Sequence, residues 1–155
     1  GVHLCEVEID PETGTTEVLR YTVVDDVGTV INPLLLKGQI HGGVAQGLGQ
    51  AMGEAIAFDP ETGQQITASL MDYTAPRADT LSMIAVESRP TDTAANPLGA
   101  KGAGEAGTVG ALAAGINAVV DALAPLGISH IDMPATPARI WQAIAAANAR
   151  KGQGA

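Results

Sequence analysis

Cysteine and aromatic residues are scarce in this chain of 155 residues, which has one cysteine, one tryptophan, two tyrosines and one phenylalanine. A single cysteine, Cys5, excludes an internal disulfide and cannot hold an iron–sulfur cluster, which needs several ligands. We interpret Cys5 as a small apolar residue on a strand. Cysteine usage of this kind fits a reducing compartment, so we expect a cytoplasmic protein.

Positive charge is also scarce, with 8 lysines and arginines against 17 acidic residues and a formal net charge of −9. Such a balance argues against nucleic acid or an anionic membrane as a partner. No signal-peptide pattern opens the chain, and we expect no apolar run long enough to span a bilayer. The chain starts without methionine and enters a strand pattern almost at once, so we expect a piece of a longer polypeptide.

Several catalytic signatures are missing. The three histidines, His3, His41 and His130, lie far apart, and no pair has the spacing of metal ligands, so we predict no metal held by the protein's own side chains. We interpret His41 as a surface residue. The sequence contains neither a serine or cysteine nucleophile elbow nor a phosphate-binding P-loop.

Hydrophobic residues make up 46% of the chain, which is typical of a globular domain. We predict one domain over 1–150 and a flexible tail over 151–155. Two identical pentapeptides of sequence Asp-Pro-Glu-Thr-Gly each predict a hairpin turn, because proline and glycine suit successive turn positions. The turns occupy 10–14 and 59–63; the strands expected around them are 5–9 with 15–24, and 55–58 with 65–68. A further strand is expected over 81–87.

A glycine-rich segment, 38–54, lies between the two turns. Its apolar residues recur every fourth position, which predicts a helix. A second face carries Gln39, Gly43, Gln46 and Gln50. Its six glycines would destabilise a helix by roughly 1 kcal/mol each relative to alanine. Such a sequence suggests close approach of another backbone or of a flat ligand; a solvated glutamine face on a tightly packed helix is the equal alternative.

The last third of the chain is rich in alanine and other helix formers, and predicts helices over 108–123 and 137–148. Thr136 is the expected N-cap of the second, with Pro137 in its first position. The order of elements predicts an α+β fold in which antiparallel hairpins accompany a glycine-rich helix and C-terminal helices. We interpret the adjacent acids Asp25 and Asp26 as part of a turn at a strand end.

The segment 96–107 places one carboxylate, Glu105, inside a run of glycines just before a helix. A carboxylate in a tight, partly desolvated turn is a candidate general base. Residues 102–107 also match the dinucleotide-binding pattern G-x-G-x-x-G, but the context fails. Residues 89–96 separate the nearest strand from the first glycine, Glu105 would repel a pyrophosphate, and no strand ending in an acidic residue follows about 20 residues on.

Three motifs carry a resemblance to a known family: 24–33 (VDDVGTVINP), 38–49 (GQIHGGVAQGLG) and 101–105 (KGAGE). In order and spacing they resemble the C-terminal part of the molybdopterin-binding large subunit of the xanthine dehydrogenase, aldehyde oxidase and carbon monoxide dehydrogenase family. The similarity runs over about 2–145, and is strongest to the subunits of carbon monoxide dehydrogenase type. The chain would then be a fragment, 1–150, of a larger molybdenum-binding domain.

The resemblance implies a molybdenum hydroxylase, an oxidoreductase that hydroxylates an aldehyde or N-heterocycle or oxidises carbon monoxide. Glu105 would be the catalytic base toward the metal-bound hydroxyl. Gln39 would hydrogen-bond the cofactor, and Ala103, with Gly102 and Gly104 on either side, would lie against it through its backbone. Gln46 and Lys101 would support these residues from behind.

The family's cofactor is molybdopterin, with a dinucleotide form as an alternative, while iron–sulfur clusters and FAD would sit on other domains or subunits. The expected partners are those subunits, the upstream part of the molybdenum subunit, a small-molecule substrate and a second copy of the chain. The isolated chain is expected to be inactive. The alternative hypothesis is a non-catalytic structural fragment, or a degenerate relative, that binds no cofactor alone.

Overall fold

A computed structural model describes residues 1–81 and 83–152 and contains three strands and three α-helices in that part of the chain. In chain order they are β1 (Val2–Ile9), β2 (Thr16–Asp25), α1 (Pro33–Met52), β3 (Ile84–Ser88), α2 (Ala106–Leu123) and α3 (Pro137–Gly152). The glycine-rich helix starts earlier than predicted, because the Asn32 side chain accepts a hydrogen bond from the Leu35 amide at 3.1 Å. Pro33 takes the first helical position, where its missing N–H costs nothing.

The sheet has the order β1-β2-β3. Strands β1 and β2 are antiparallel and are joined by the first Asp-Pro-Glu-Thr-Gly turn, as predicted. In that turn the Gly14 amide donates to the Asp10 carbonyl at 2.7 Å, and Gly14 adopts a positive φ of 75°. Strand β3 pairs in parallel with β2, from Tyr21 opposite Ile84 to Asp25 opposite Ser88.

The second predicted hairpin does not form two strands, so the prediction of antiparallel hairpins is wrong for this pair of segments. Residues 55–58 and 65–68 meet at one isolated bridge between Phe58 and Gln65. The turn itself is built like the first, with the Gly63 amide donating to the Asp59 carbonyl at 2.9 Å. Ile56 and Phe58 stay about 60% exposed (61% and 59%). A two-stranded ribbon without a covered apolar face is marginal in water, which accounts for the difference.

The buried apolar side chains form two clusters. One lies between the sheet and the two long helices, and contains Val18, Tyr21, Val23, Ile40, Val44, Leu48 and Ala111. The other holds α3 against the end of α2, and its larger members are Val119, Leu123, Ile128, Ile131, Ile140 and Ile144. Thr136 lies at the start of α3, where its hydroxyl accepts from the Arg139 amide at 3.4 Å.

Helices α1 and α2 approach each other backbone to backbone. A Cβ added at Gly107 would lie 2.5 Å from the Ile40 carbonyl oxygen, and one added at Gly43 would lie 2.9 Å from the Thr108 nitrogen. A Cβ added at Gly47 would lie 2.7 Å from the Ala111 side chain. Contacts this short exclude any side chain at these glycines. Close approach of another backbone, one of the two uses suggested for the glycines, therefore occurs within the chain itself.

A polar cluster is buried between the hairpin and α2. The His3 Nδ1 atom lies 2.9 Å from the Tyr21 hydroxyl, and its Nε2 atom lies 3.7 Å from the Asp25 carboxylate. Desolvation lowers the pKa of His3, and the neighbouring Asp25 charge opposes that shift. A Cβ added at Gly110 would lie 2.5 Å from the His3 ring, so α2 rests directly on this cluster.

The expectation that no apolar run could span a bilayer is wrong on length and composition. The segment Ala106–Leu126, of 21 residues, is long and apolar enough. The core helix of a water-soluble domain passes the same test, and α2 buries Gly107, Ala111, Gly115, Val119 and Leu123 along one face. Helix α3 extends through Gly152, so the predicted tail 151–155 starts inside a helix and otherwise lies outside the described residues.

Adjacent glycines of α1 test the importance of the backbone contact. Gly43→Ala should destabilise the chain by about 1–3 kcal/mol, because its methyl group overlaps the Thr108 backbone. Gly42→Ala is the matched control: an added Cβ there meets nothing within 4 Å, so alanine should stabilise α1 by up to about 1 kcal/mol. Urea unfolding followed by circular dichroism measures both changes, and equal midpoints for the two variants would contradict the packing described.

Candidate functional site

Glu105 is the N-cap residue of α2, with φ −109° and ψ −5°. Its carbonyl accepts the Val109 amide at 3.0 Å, while its side chain makes no capping hydrogen bond to the helix. The side chain is exposed, so the predicted partial desolvation is not present in this chain. A helix N-terminus is a favourable place for a negative charge, and this carboxylate is not used for capping.

The glycine loop before Glu105 is open on its outer side. A Cβ added at Gly102 or at Gly104 meets nothing within 4 Å, in contrast to Gly43, Gly47 and Gly107 at the contact between α1 and α2. Ala103 between them is half-buried. These glycines are therefore not required by packing within the chain, and the loop leaves room for a ligand to approach the backbone closely. As expected from the sequence, a long loop separates β3 from α2, unlike a dinucleotide-binding turn.

Gln39 lies on the first half of α1 with an exposed amide. It precedes Ile40, whose carbonyl faces Gly107, and Gly107 lies two residues after Glu105. Gln39 and Glu105 therefore reach the same end of the α1–α2 contact. Gln50 lies eleven residues further along α1, about 16 Å away at 1.5 Å per residue. Gln39 thus lies nearer the Glu105 end of α1, and Gln50 lies near the other end.

Gln46 has a partner within the chain. The Thr108 hydroxyl donates to the Gln46 side-chain oxygen at 3.2 Å and so joins the first turn of α2 to α1. The three glutamines of this face therefore have different environments. Gln46 makes a hydrogen bond between the helices, whereas Gln39 and Gln50 are exposed.

Lys101 belongs to a hydrogen-bonded group that we call the Asp26 cluster, made of Asp26, Thr91 and Lys101. The Lys101 ammonium donates to the Asp26 carboxylate at 2.6 Å and to the Thr91 hydroxyl at 2.8 Å. The Thr91 hydroxyl and amide both donate to Asp26, as does the Gly28 amide at 2.9 Å. The hydrogen bond from Lys101 is the largest cause, and those from Thr91 the next, of a pKa of the Asp26 carboxyl that lies well below its usual range.

Backbone hydrogen bonds fix the same junction. The Lys101 amide donates to the Val27 carbonyl at 2.8 Å, and the Thr29 amide donates to the Gly99 carbonyl at 3.0 Å. Gly28 and Gly99 both have positive φ, of 61° and 64°. A Cβ at Gly28 would lie 2.1 Å from the Gly99 oxygen. The start of the glycine loop is therefore tied to the end of β2.

Sequence reasoning missed Asp26 and Thr91 as functional candidates. The turn expected at Asp26 does form, since its carboxylate accepts from the Gly28 amide. The ion pair spans 75 positions in sequence, and no local pattern reports such a pairing. The sequence held one indication that these residues matter: Asp26 and Lys101 lie in two of the three motifs that carry the family resemblance.

Two of the histidines each lie near one carboxylate, His3 near Asp25 and His130 near Asp132. In the part of the chain that the structure describes, no group of three or more histidine, cysteine, aspartate or glutamate side chains could hold a metal ion. His41 is half-buried, with its Nε2 atom enclosed, so the prediction of a surface histidine is wrong. His41 lies on α1 two residues after Gln39, between the buried Ile40 and Gly43.

Several known proteins are similar to this chain over most of its length. The chain is 42% identical over 144 residues to the carbon monoxide dehydrogenase large chain of Hydrogenophaga pseudoflava, covering 93% of this chain and 18% of that one. It is 40% identical to the nicotine 6-hydroxylase large subunit of Paenarthrobacter nicotinovorans, covering 92% and 17%. A solved Cu,Mo-CO dehydrogenase in its carbon monoxide reduced state matches with a TM-score of 0.88 at 38% identity, covering 93% and 18%.

The chain thus spans about a fifth of the length of these relatives (18% and 17%), whose names are those of oxidoreductases. The matches do not support the C-terminal placement predicted from the motifs. The family model described as the molybdopterin cofactor-binding domain matches residues 1–82, which hold β1, β2 and α1 with Gln39. With more than half of its residues matched, the chain belongs to the molybdopterin cofactor-binding domain family.

Proposed function

We propose that this chain forms one wall of the molybdenum-cofactor site of an oxidoreductase that oxidises carbon monoxide or hydroxylates an aldehyde or N-heterocycle. One observation carries the proposal. The α1–α2 contact at Ile40 and Gly107 delivers the exposed Gln39 amide and the exposed Glu105 carboxylate to one end of the two helices. An amide can donate and accept at once, which suits the edge of a pterin, and a carboxylate can accept a proton.

The residues present fit such a group. Gly102 and Gly104 leave open space where any other residue would place a side chain, and the half-buried Ala103 between them offers its backbone. When bound, the molybdenum cofactor supplies the activated oxygen and accepts the electrons of the reaction. Gln39 would hold the pterin through its side-chain amide, and the 102–104 backbone would lie against it. Glu105 would take up a proton on its carboxylate and release it after turnover.

Because Glu105 is exposed in this chain, other parts of the enzyme would have to shield it from water. A general base acts best in a site from which water is excluded, and this carboxylate is open in the chain itself. The start of α1 is likewise uncovered, with Ile31, Leu34 and Leu35 exposed by 70%, 80% and 65%. Exposed apolar groups of this kind mark surfaces for association. The remaining part of the molybdenum subunit would cover them and close the site.

Electron transfer from the site would need further centres. Iron–sulfur clusters and FAD would lie on other domains or subunits, because one half-buried cysteine, Cys5, cannot hold a cluster. Burial raises the pKa of the Cys5 thiol to about 11, which makes it a poor ligand near neutral pH. The cofactor would be molybdopterin or its dinucleotide form, and the substrate a small molecule.

Replacement of Glu105 tests the base directly. In the complete enzyme, Glu105→Gln should leave molybdenum content unchanged and lower turnover by about 10² or more, the usual scale for loss of a general base. Metal analysis and steady-state kinetics measure both quantities. A fully loaded variant with near-normal turnover would show that the base lies elsewhere.

Two glutamines of α1 provide a matched test of cofactor binding. Gln39→Ala should lower the molybdenum and pterin content of the complete enzyme, because it removes the amide proposed to hold the pterin. Gln50→Ala removes the same group from the same helix, about 16 Å along its axis, and should have less effect. Equal and full molybdenum and pterin content in both variants would show that this glutamine face is a solvated surface that does not bind the cofactor.

The isolated 155-residue chain should contain no molybdenum and should self-associate, because its cofactor-facing and apolar surfaces are uncovered. Metal analysis and light scattering on the purified chain test this. Stoichiometric molybdenum in a monodisperse monomer would show that the chain alone completes the site.

A further inference from the structure

The glycine loop has two fixed ends and an open middle. At one end Lys101 is held by the Asp26 cluster, and at the other α2 is seated on α1 through Gly107. Between them, Gly102 and Gly104 touch nothing that would restrict a side chain. Glycine has the widest choice of backbone conformations, so the path from 102 to 104 depends on how its ends are held. Glu105 is the first residue after this path.

The Asp26 carboxylate is fully occupied. One oxygen accepts from the Gly28 amide at 2.9 Å and the Thr91 amide at 3.0 Å; the other accepts from the Lys101 ammonium at 2.6 Å and the Thr91 hydroxyl. Two carboxylate oxygens offer about four acceptor sites, and four donors fill them. Charge-assisted hydrogen bonds of this length are the stronger kind. The cluster therefore joins three segments, after β2, after β3 and before α2, at one rigid point.

We propose that Asp26, Thr91 and Lys101 are positioning residues that fix the glycine loop and thereby place the Glu105 carboxylate. The inference rests on the proposed role of Glu105 as base. The Lys101 ammonium commits two of its three N–H donors to the cluster, one to Asp26 and one to Thr91. Its side chain and that of Asp26 are about a third exposed (33% and 29%), so the cluster lies at the surface of the chain beside the loop.

The test uses the complete, cofactor-loaded enzyme. Lys101→Met should lower kcat by about 10- to 10²-fold at unchanged molybdenum content, because a displacement of about 1 Å in a reacting group costs that much. Asp26→Asn should act in the same direction, and Lys101→Arg, which keeps charge and donors, should restore part of the loss. Arg20→Gln is the control: it removes an exposed ion pair, 3.9 Å from Glu6, on the sheet.

Two further readouts separate positioning from general damage. Amide hydrogen exchange of the peptide over 102–106 should be faster in Lys101→Met and Asp26→Asn, and unchanged in Arg20→Gln. In the Glu105→Gln background, Lys101→Met should cause no further loss of kcat, since residues that act through one group are not additive.

Several results would overturn the inference. One is normal kcat and normal exchange in Lys101→Met. A second is a loss in Lys101→Met that Asp26→Asn does not share, which would make Lys101 a direct contact of substrate or cofactor. A third is a loss that multiplies with that of Glu105→Gln. Full activity of Glu105→Gln would instead refute the proposed base, and the exchange measurement would still report on the loop.

Discussion

The contact between the backbones of α1 and α2 is the constraint on which the rest of the structure depends. Three glycines, Gly43, Gly47 and Gly107, lie where a Cβ would approach a neighbouring atom to 2.9 Å or less. The sheet packs beneath α1, and α2 rests on the His3 ring through Gly110. A larger residue in this contact would move α2 away from α1, and both ends of the candidate site with it. The relative placement of Gln39 on α1 and Glu105 at the start of α2 depends on this helix contact.

The glycines of the chain serve different purposes that composition alone does not separate. Gly43 and Gly107 permit helix packing, Gly14, Gly28 and Gly99 adopt positive φ in turns, and Gly102 and Gly104 leave space outside the chain. Each glycine in a helix costs up to about 1 kcal/mol of helix propensity. In α1 the close contact with α2 offsets this cost. In the loop, where no packing requires glycine, the proposed function supplies the reason.

The sequence was sufficient where the signal was local. The first turn, the three α-helices and the start of α3 at Thr136 and Pro137 follow from short-range chemistry. The sequence also predicted that a helix begins just after the glycine loop that ends at Glu105. The sequence did not predict the features that depend on residues far away in the chain. Strand β3 pairs in parallel with β2, a partner that the local pattern of β3 does not predict, and the apolar side chains of the second hairpin, Ile56 and Phe58, remain 61% and 59% exposed. The ion pair of Asp26 with Lys101 joins segments 75 positions apart, and the exposure of Glu105 depends on which parts of the enzyme surround it.

Local chemistry marked Glu105 as a candidate base, and the family resemblance supplied the cofactor that Gln39 and Glu105 are expected to face. The structure adds that α1 and α2 are in close contact at Ile40 and Gly107, and that the loop between Lys101 and Glu105 is anchored at both ends. A crystal structure of the complete, cofactor-loaded enzyme tests this account most directly, through two distances. We expect the Gln39 amide within hydrogen-bonding distance of the pterin, and the Glu105 carboxylate within about 3 Å, directly or through one water, of the oxygen it would deprotonate. A cofactor that contacts neither residue, or that lies at the other end of α1 near Gln50, would contradict the account.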